Sequence, residues 1–144
     1  MMDLSTILQA IPHREPFLLV DRLKEWEEDR LIGEKTFTGQ EDFFNGHYPD
    51  YPLVPGVLLC EAAMQCGAIL LSRKISGQEA RVPVATRMNN VRFKNMVRPG
   101  DTIVMEVTLN ETVSTAFFLD AKVTVRGKTA VRFEFACTLA PKIT

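Results

Sequence analysis

Two side chains with acid/base chemistry, His47 and Glu61, flank the point where a proline-rich loop becomes a long apolar run. The loop reads Gly46-His47-Tyr48-Pro49-Asp50-Tyr51-Pro52-Leu53-Val54-Pro55-Gly56. Each of its three prolines fixes its own φ and disfavours helix at the residue before it. The run that follows, Val57 to Leu71, is interrupted only by Glu61, Gln65 and Gly67. Its length predicts a helix from Gly56 to about Lys74 rather than a strand. A helix apolar on nearly every side is a buried one, and the i, i+4 spacing puts Glu61 and Gln65 on one face. A carboxylate there is costly unless it has partners or a task. Glu61 is therefore either a core glutamate satisfied by Gln65 and backbone groups or a functional one, and His47 tips the balance. An imidazole that titrates near neutrality, a desolvated carboxyl and the free amides of a helix N-terminus at Gly56 together make an acid/base site.

These groups need a scaffold. Asp3–Ala10 reads as a short helix with Leu4, Ile7 and Leu8 on one face, stopped by Pro12. Phe17–Glu28 and Arg30–Gly39 read as a strand pair around an acidic turn, and Glu41–Asn45 as one helical turn. Ser76-Gly77 ends the long helix. Val82–Lys94 reads as a strand kinked near Asn89-Asn90, and Arg98-Pro99-Gly100-Asp101 as a turn. Thr102–Asn110, Thr115–Arg126 and Lys128–Leu139 alternate apolar with polar residues, with a hairpin turn at Gly127-Lys128. The expected fold is α+β: about six one-sided antiparallel strands covering one long helix.

Composition narrows the function. A chain of 144 residues, 46% hydrophobic, suits a single domain over residues 1–144 with a sizeable core. A formal charge of −1 argues against a nucleic-acid partner. Glu61 and Gln65 break the one candidate membrane span, and Met1–Thr6 lacks the basic and apolar regions of a signal peptide. A cytoplasmic protein is expected. Cys60, Cys66 and Cys137 lie in apolar surroundings without a C-x-x-C, so they read as buried, reduced thiols. His13 and His47 lack neighbouring ligands, so no metal is expected.

Three blocks carry a family resemblance. Gly46-His47-Tyr48-Pro49, Pro55-Gly56 and Glu61-Ala62-Ala63-Met64-Gln65 form the central one. Ile11-Pro12-His13-Arg14-Glu15-Pro16-Phe17-Leu18-Leu19-Val20-Asp21-Arg22 lies upstream, and Val91-Arg92-Phe93-Lys94 with Arg98-Pro99-Gly100-Asp101 downstream. In this order and spacing the chain resembles the glutamate-bearing, FabZ-like 3-hydroxyacyl-acyl-carrier-protein dehydratases of fatty-acid biosynthesis. It departs from that pattern at Tyr48, Asp50 and Met96, and Asn110–Phe118 lacks a basic run found in many members.

The resemblance implies a hotdog fold, a homodimer that can assemble further as a trimer of dimers, and a lyase that works without cofactor. It implies His47 as the base that takes the C2 proton, with the carbonyl of Leu53 holding its other ring nitrogen. It implies Glu61, oriented by Gln65 and supplied by the partner subunit, as the acid that protonates the departing C3 hydroxyl. The Gly56 amide would hold the thioester oxygen. Arg92, Lys94 and Arg98 are candidates for steering an acidic acyl carrier protein. Phe93, Met88 and Met96 are candidates for lining an acyl tunnel. His13 and Arg14 match the signature without a chemical step, and pairing with a carboxylate is the expected role of Arg14. General acid–base groups contribute about 10²–10⁴ in rate and one oxyanion donor about 10²–10³, enough to account for a dehydratase. A hotdog acyl-thioesterase would instead rely on an acidic residue and water, and gives no reason for His47. A non-catalytic acyl-thioester binding protein would keep the fold without turnover.

Overall fold

The computed structural model describes residues 1–75, 77 and 81–141. A short helix α1 (Leu4–Ala10) begins at Asp3, whose carboxylate accepts from the Thr6 N–H, and ends at Ile11. Strands β1 (Arg22–Trp26) and β2 (Arg30–Thr36) follow, then a 3-10 turn over Asp42–Asn45 and the central helix α2 (Gly56–Ser72). The chain closes with β3 (Arg81–Phe93), β4 (Thr102–Val113), β5 (Ala116–Val125) and β6 (Lys128–Pro141). The strands form one sheet in the order β1-β2-β4-β5-β6-β3, antiparallel at every pairing.

Strict alternation gives the sheet one apolar face. Ile103, Met105 and Val107 of β4, Phe117, Leu119, Ala121, Val123 and Val125 of β5, and Val131, Phe133, Phe135, Cys137 and Leu139 of β6 are buried. They share a single core cluster with Leu59, Cys60, Ala62, Ala63, Cys66, Ile69, Leu70 and Leu71 of α2. Close approach of helix and sheet depends on missing side chains. A Cβ on Gly67 would stand 2.7 Å from Phe135 Cζ, and one on Gly33 2.8 Å from Cys66 Sγ. The three thiols are buried and free. Burial pushes Cys60 and Cys137 up to about 11 and Cys66 higher still.

Several boundaries differ from the sequence expectation, each for a physical reason. Phe17–Asp21 is not strand: the Phe17 carbonyl and the Leu19 N–H bond the Gln65 side chain instead of a neighbouring strand. β2 stops at Thr36, because the Thr38 and Gly39 N–H groups donate to the Glu41 carboxylate at 3.0 and 2.9 Å. β4 runs on to Val113, paired with Ala116 across a turn that places Ser114 at φ 58°. The β5–β6 turn is Arg126-Gly127, not Gly127-Lys128. Both residues have positive φ (50° and 75°), as tight antiparallel hairpins prefer. The expected kink in β3 is present as a register shift between Asn89 and Arg92, with Asn90 at φ 53°. Helix α2 ends at Ser72 rather than Lys74, and Arg73 stacks on Trp26 3.6 Å from the ring centroid. Of the expected helix stop, Ser76 lies outside the described residues.

The two edges of the sheet differ. Met2 bridges to Leu23 and covers part of β1. β3 pairs only with β6 among the described residues. It leaves Val84, Met88, Val91 and Phe93 exposed.

Candidate active site

The loop that carries His47 is held at both ends. Upstream, the N–H groups of Gly46 and His47 donate to the Phe43 carbonyl, closing the 3-10 turn. Tyr48 then takes a positive φ of 52°, and the Tyr51 N–H returns to the Tyr48 carbonyl at 2.8 Å. Downstream, the Val54 N–H donates to the Val97 carbonyl at 2.8 Å. Within this frame His47 Nδ1 lies 3.0 Å from the Leu53 carbonyl oxygen. A carbonyl only accepts, so Nδ1 carries the hydrogen and Nε2 keeps its lone pair in the neutral ring.

Glu61 projects from the second turn of α2 and is half-buried in the single chain, less sealed than its apolar surroundings in sequence lead one to expect. Gln65, one turn on, is 1% exposed. Its Nε2 donates to Glu61 Oε2 at 3.0 Å and to the Phe17 carbonyl at 2.8 Å, and its Oε1 accepts from the Leu19 N–H at 2.7 Å. The amide therefore fixes one carboxylate oxygen and anchors the segment after α1 to the helix. No hydrogen bond joins His47 to Glu61 among the described residues of one chain.

At the start of α2 no side chain caps the helix. The Leu58 and Leu59 N–H groups return to the Pro55 carbonyl at 2.9 and 3.4 Å, which leaves the N–H groups of Gly56 and Val57 without an intrahelical acceptor. Gly56 leaves room there for an aromatic ring: a Cβ would fall 2.6 Å from Phe93 Cε1. The ring of Phe93, 55% exposed, thus lies against the amide end of the helix. This brings together two residues that stand far apart in sequence.

The three candidate cations do not form one patch. Arg92 and Lys94 line a groove of about 600 Å³ on the polar side of the sheet, with Lys122 and Arg132 but also Glu106, Asp120 and Glu134. Arg98 sits at the His47 loop instead, donating to the Tyr51 hydroxyl at 2.7 Å, its guanidinium 5.4 Å from the Tyr51 ring centroid. Sequence reasoning gave Tyr51 no part, and only its place between two prolines hinted at one. Met88 and Met96 are both exposed. Arg14 meets carbonyls rather than the expected carboxylate. It donates to Leu8, Ile11 and His13 oxygens at 3.0, 2.8 and 2.7 Å and so caps the C-terminal end of α1. Among the described residues no group of three His, Cys, Asp or Glu is placed to hold a metal. No helix there is long and apolar enough to cross a membrane.

Known proteins arrange these elements alike. The family model of the FabA-like domain matches residues 11–134. The 3-hydroxyacyl-acyl-carrier-protein dehydratase FabZ of Bacillus cereus (strain AH820) is 43% identical over 143 residues, 99% of both chains. The chain belongs to the FabZ-type 3-hydroxyacyl-acyl-carrier-protein dehydratases. FabZ of Clostridium perfringens (strain SM101 / Type A) is 43% identical over 90% of this chain and 93% of its own length. FabZ of Solibacter usitatus (strain Ellin6076) is 36% identical over 98% and 87%. Among solved structures, the dehydratase heterocomplex ApeI:P from Xenorhabdus doucetiae superposes with a TM-score of 0.80 at 13% identity, covering 94% of this chain and 91% of that one. The E. coli PaaI protein from the phenylacetic acid degradation operon gives 0.64 at 19% identity, covering 81% and 80%. The sheet wrapped on α2 is a hotdog fold.

Proposed function

We propose that this chain removes water from 3-hydroxyacyl thioesters of acyl carrier protein in fatty-acid biosynthesis, with His47 as base and Glu61 as acid. The observation that carries the reading is the 3.0 Å contact between His47 Nδ1 and the Leu53 carbonyl, which leaves Nε2 free to accept a proton. Nε2 takes the C2 proton, and the electron pair moves onto the thioester oxygen, where the Gly56 N–H stabilises the charge. The pair returns to form the C2–C3 double bond. The C3–O bond breaks as Glu61 gives its proton to the departing hydroxyl, which leaves as water. The Gln65 amide holds Glu61 at the angle this transfer needs.

The working unit is a homodimer of single-domain subunits, joined along the β3 edges and able to assemble further as a trimer of dimers. Support comes from the long open edge and its four exposed apolar residues, a surface natural proteins seldom leave uncovered. Val57, on the first turn of α2, is 72% exposed and would be covered by the same contact. In this arrangement His47 faces Glu61 of the partner subunit. The acidic carrier docks in the cytoplasm on cations near the site mouth, for which Arg98 beside Tyr51 is better placed than Arg92 or Lys94 in their mixed-charge groove. Phe93 and the two exposed methionines line the path of the acyl chain.

Enoyl-thioester absorbance with a crotonyl-carrier-protein substrate, recorded beside free-thiol release, tests the reading. Reversible hydration without thiol release is expected. Thiol release would make the protein a thioesterase, and binding without turnover would make it a carrier of acyl thioesters.

A further inference from the structure

A second imidazole lies on the Glu61 side of the site, and the reaction as written does not use it. Nδ1 of His13 is the one buried side-chain nitrogen or oxygen among the described residues that has no hydrogen-bond partner. Leaving such an atom unpaired costs about 1–3 kcal/mol, so a native protein that keeps one has a reason for it. The position is built. The His13 carbonyl is held by Arg14, which also grips the end of α1. The His13 ring stacks on Phe17, with centroids 6.3 Å apart and planes 14° apart. The Phe17 carbonyl binds the same Gln65 Nε2 that holds Glu61. Glu61 lies close enough for its charge to act on the His13 ring, while burial keeps that ring below its ordinary pKa. The imidazole beside the carboxylate is thus neutral at pH 7, and its unpaired nitrogen can accept or donate according to tautomer.

We propose that His13 Nδ1 holds the water of the reaction: it hydrogen-bonds the C3 hydroxyl as that group leaves as water, and positions the same water for attack on C3 in the reverse direction. The inference rests on the dehydratase reading of the site. In the forward direction Glu61 supplies the proton and His13 accepts a hydrogen bond from the nascent water, so no proton moves onto His13. A neutral ring suits the task, since an imidazolium would have no acceptor and would pair with Glu61 instead.

Three substitutions at position 13 separate the possibilities. An asparagine amide can place a polar atom near the Nδ1 position and a glutamine amide near Nε2, whereas phenylalanine keeps only the ring that stacks on Phe17. Hydration of the crotonyl thioester by wild type, His13→Asn, His13→Gln and His13→Phe is measured with the melting temperature of each. His13→Phe and His13→Gln are expected to lose about 10–100-fold in kcat with KM changed little, as for one hydrogen bond to a reacting group. His13→Asn is expected to retain most of the activity, and all four proteins to melt within a few degrees of one another. Wild-type activity in His13→Phe overturns the proposal. So does retention in His13→Gln with loss in His13→Asn, or a kcat loss in all three that tracks a lower melting temperature. An inactive wild type sinks the dehydratase reading itself, a result distinct from any of these.

Discussion

The Nδ1 atom of His47 stands 3.0 Å from the carbonyl oxygen of Leu53, six residues on in the same loop. The contact selects one tautomer and points the basic nitrogen away from the loop. His47→Ala removes the proposed base and is expected to lower kcat by about 10²–10⁴. Glu61→Gln keeps the Gln65 contact available but cannot give a proton, and is expected to fall by a similar factor. Both variants should melt like wild type, and crotonyl-thioester hydration checks them. Near-normal turnover in either would remove that residue from the mechanism.

Gly56 and Phe93 form a testable pair. A methyl group at position 56 meets the Phe93 ring at 2.6 Å, but that ring is half exposed and can turn aside. Gly56→Ala is expected to fold and to lose activity, because the displaced ring and the added methyl both crowd the amide end of α2. Phe93→Ala in the same chain should restore part of that loss. A double-mutant cycle on kcat/KM reads the coupling, with about 0.5–3 kcal/mol expected for residues in contact. Additive effects would mean that the two do not share the site.

Gln65→Leu fills a similar volume and removes all three hydrogen bonds of the amide. It strands the Leu19 N–H and the Phe17 carbonyl, at about 1–3 kcal/mol for each group that water cannot reach. Glu61 also loses the donor that orients it. Urea unfolding should show a lower midpoint, and hydration assays a lower kcat at temperatures where the variant is still folded. A variant with unchanged stability would show that water replaces the amide.

Much of the sheet was legible because β4, β5 and β6 are each buried on one face only. A period of two in Ile103, Met105, Val107 or in Phe117, Leu119, Ala121 has no other reading. Phe17–Asp21 was not legible: Leu18, Leu19 and Val20 are all buried, and a continuous apolar run does not say where its backbone bonds go. The Leu19 N–H finds the side chain of Gln65, 46 residues on, while the Leu18 N–H turns back to the Arg14 carbonyl. The β5–β6 turn was misplaced by one residue because Arg126 adopts a positive φ that its side chain does not advertise. His47 and Glu61 were readable as chemistry, since proline spacing and an isolated carboxylate are local signals. The contact of Phe93 with Gly56 arises from packing between distant segments, which no local pattern encodes.

The β3 edge makes a prediction about assembly. Val84→Lys with Val91→Lys places two charges among the exposed apolar residues of the edge strand. Sedimentation should show wild type as a dimer or larger and the double variant as a monomer. If His47 and Glu61 of the partner subunit form one site, hydration activity should disappear with the dimer while the monomer stays folded. An active monomer would place both residues in one chain's site.

His13 also predicts a pH dependence with a definite sign. Burial depresses its pKa in the folded chain, Arg14 adds to the depression, and the Glu61 charge opposes both. A base whose folded pKa lies below its unfolded value binds fewer protons when folded, so stability is lost as pH falls from about 6.5 through the folded pKa. Urea midpoints measured downward from pH 7 should fall in that window for wild type and less steeply for His13→Phe. Glu61→Gln removes the one charge that favours the protonated ring, so the His13 resonances should titrate at still lower pH in that variant. Arg14→Gln should move them the other way. An unchanged or raised His13 titration in Glu61→Gln would mean that the carboxylate does not act on this imidazole, and the proposed water position beside Glu61 would lose its support.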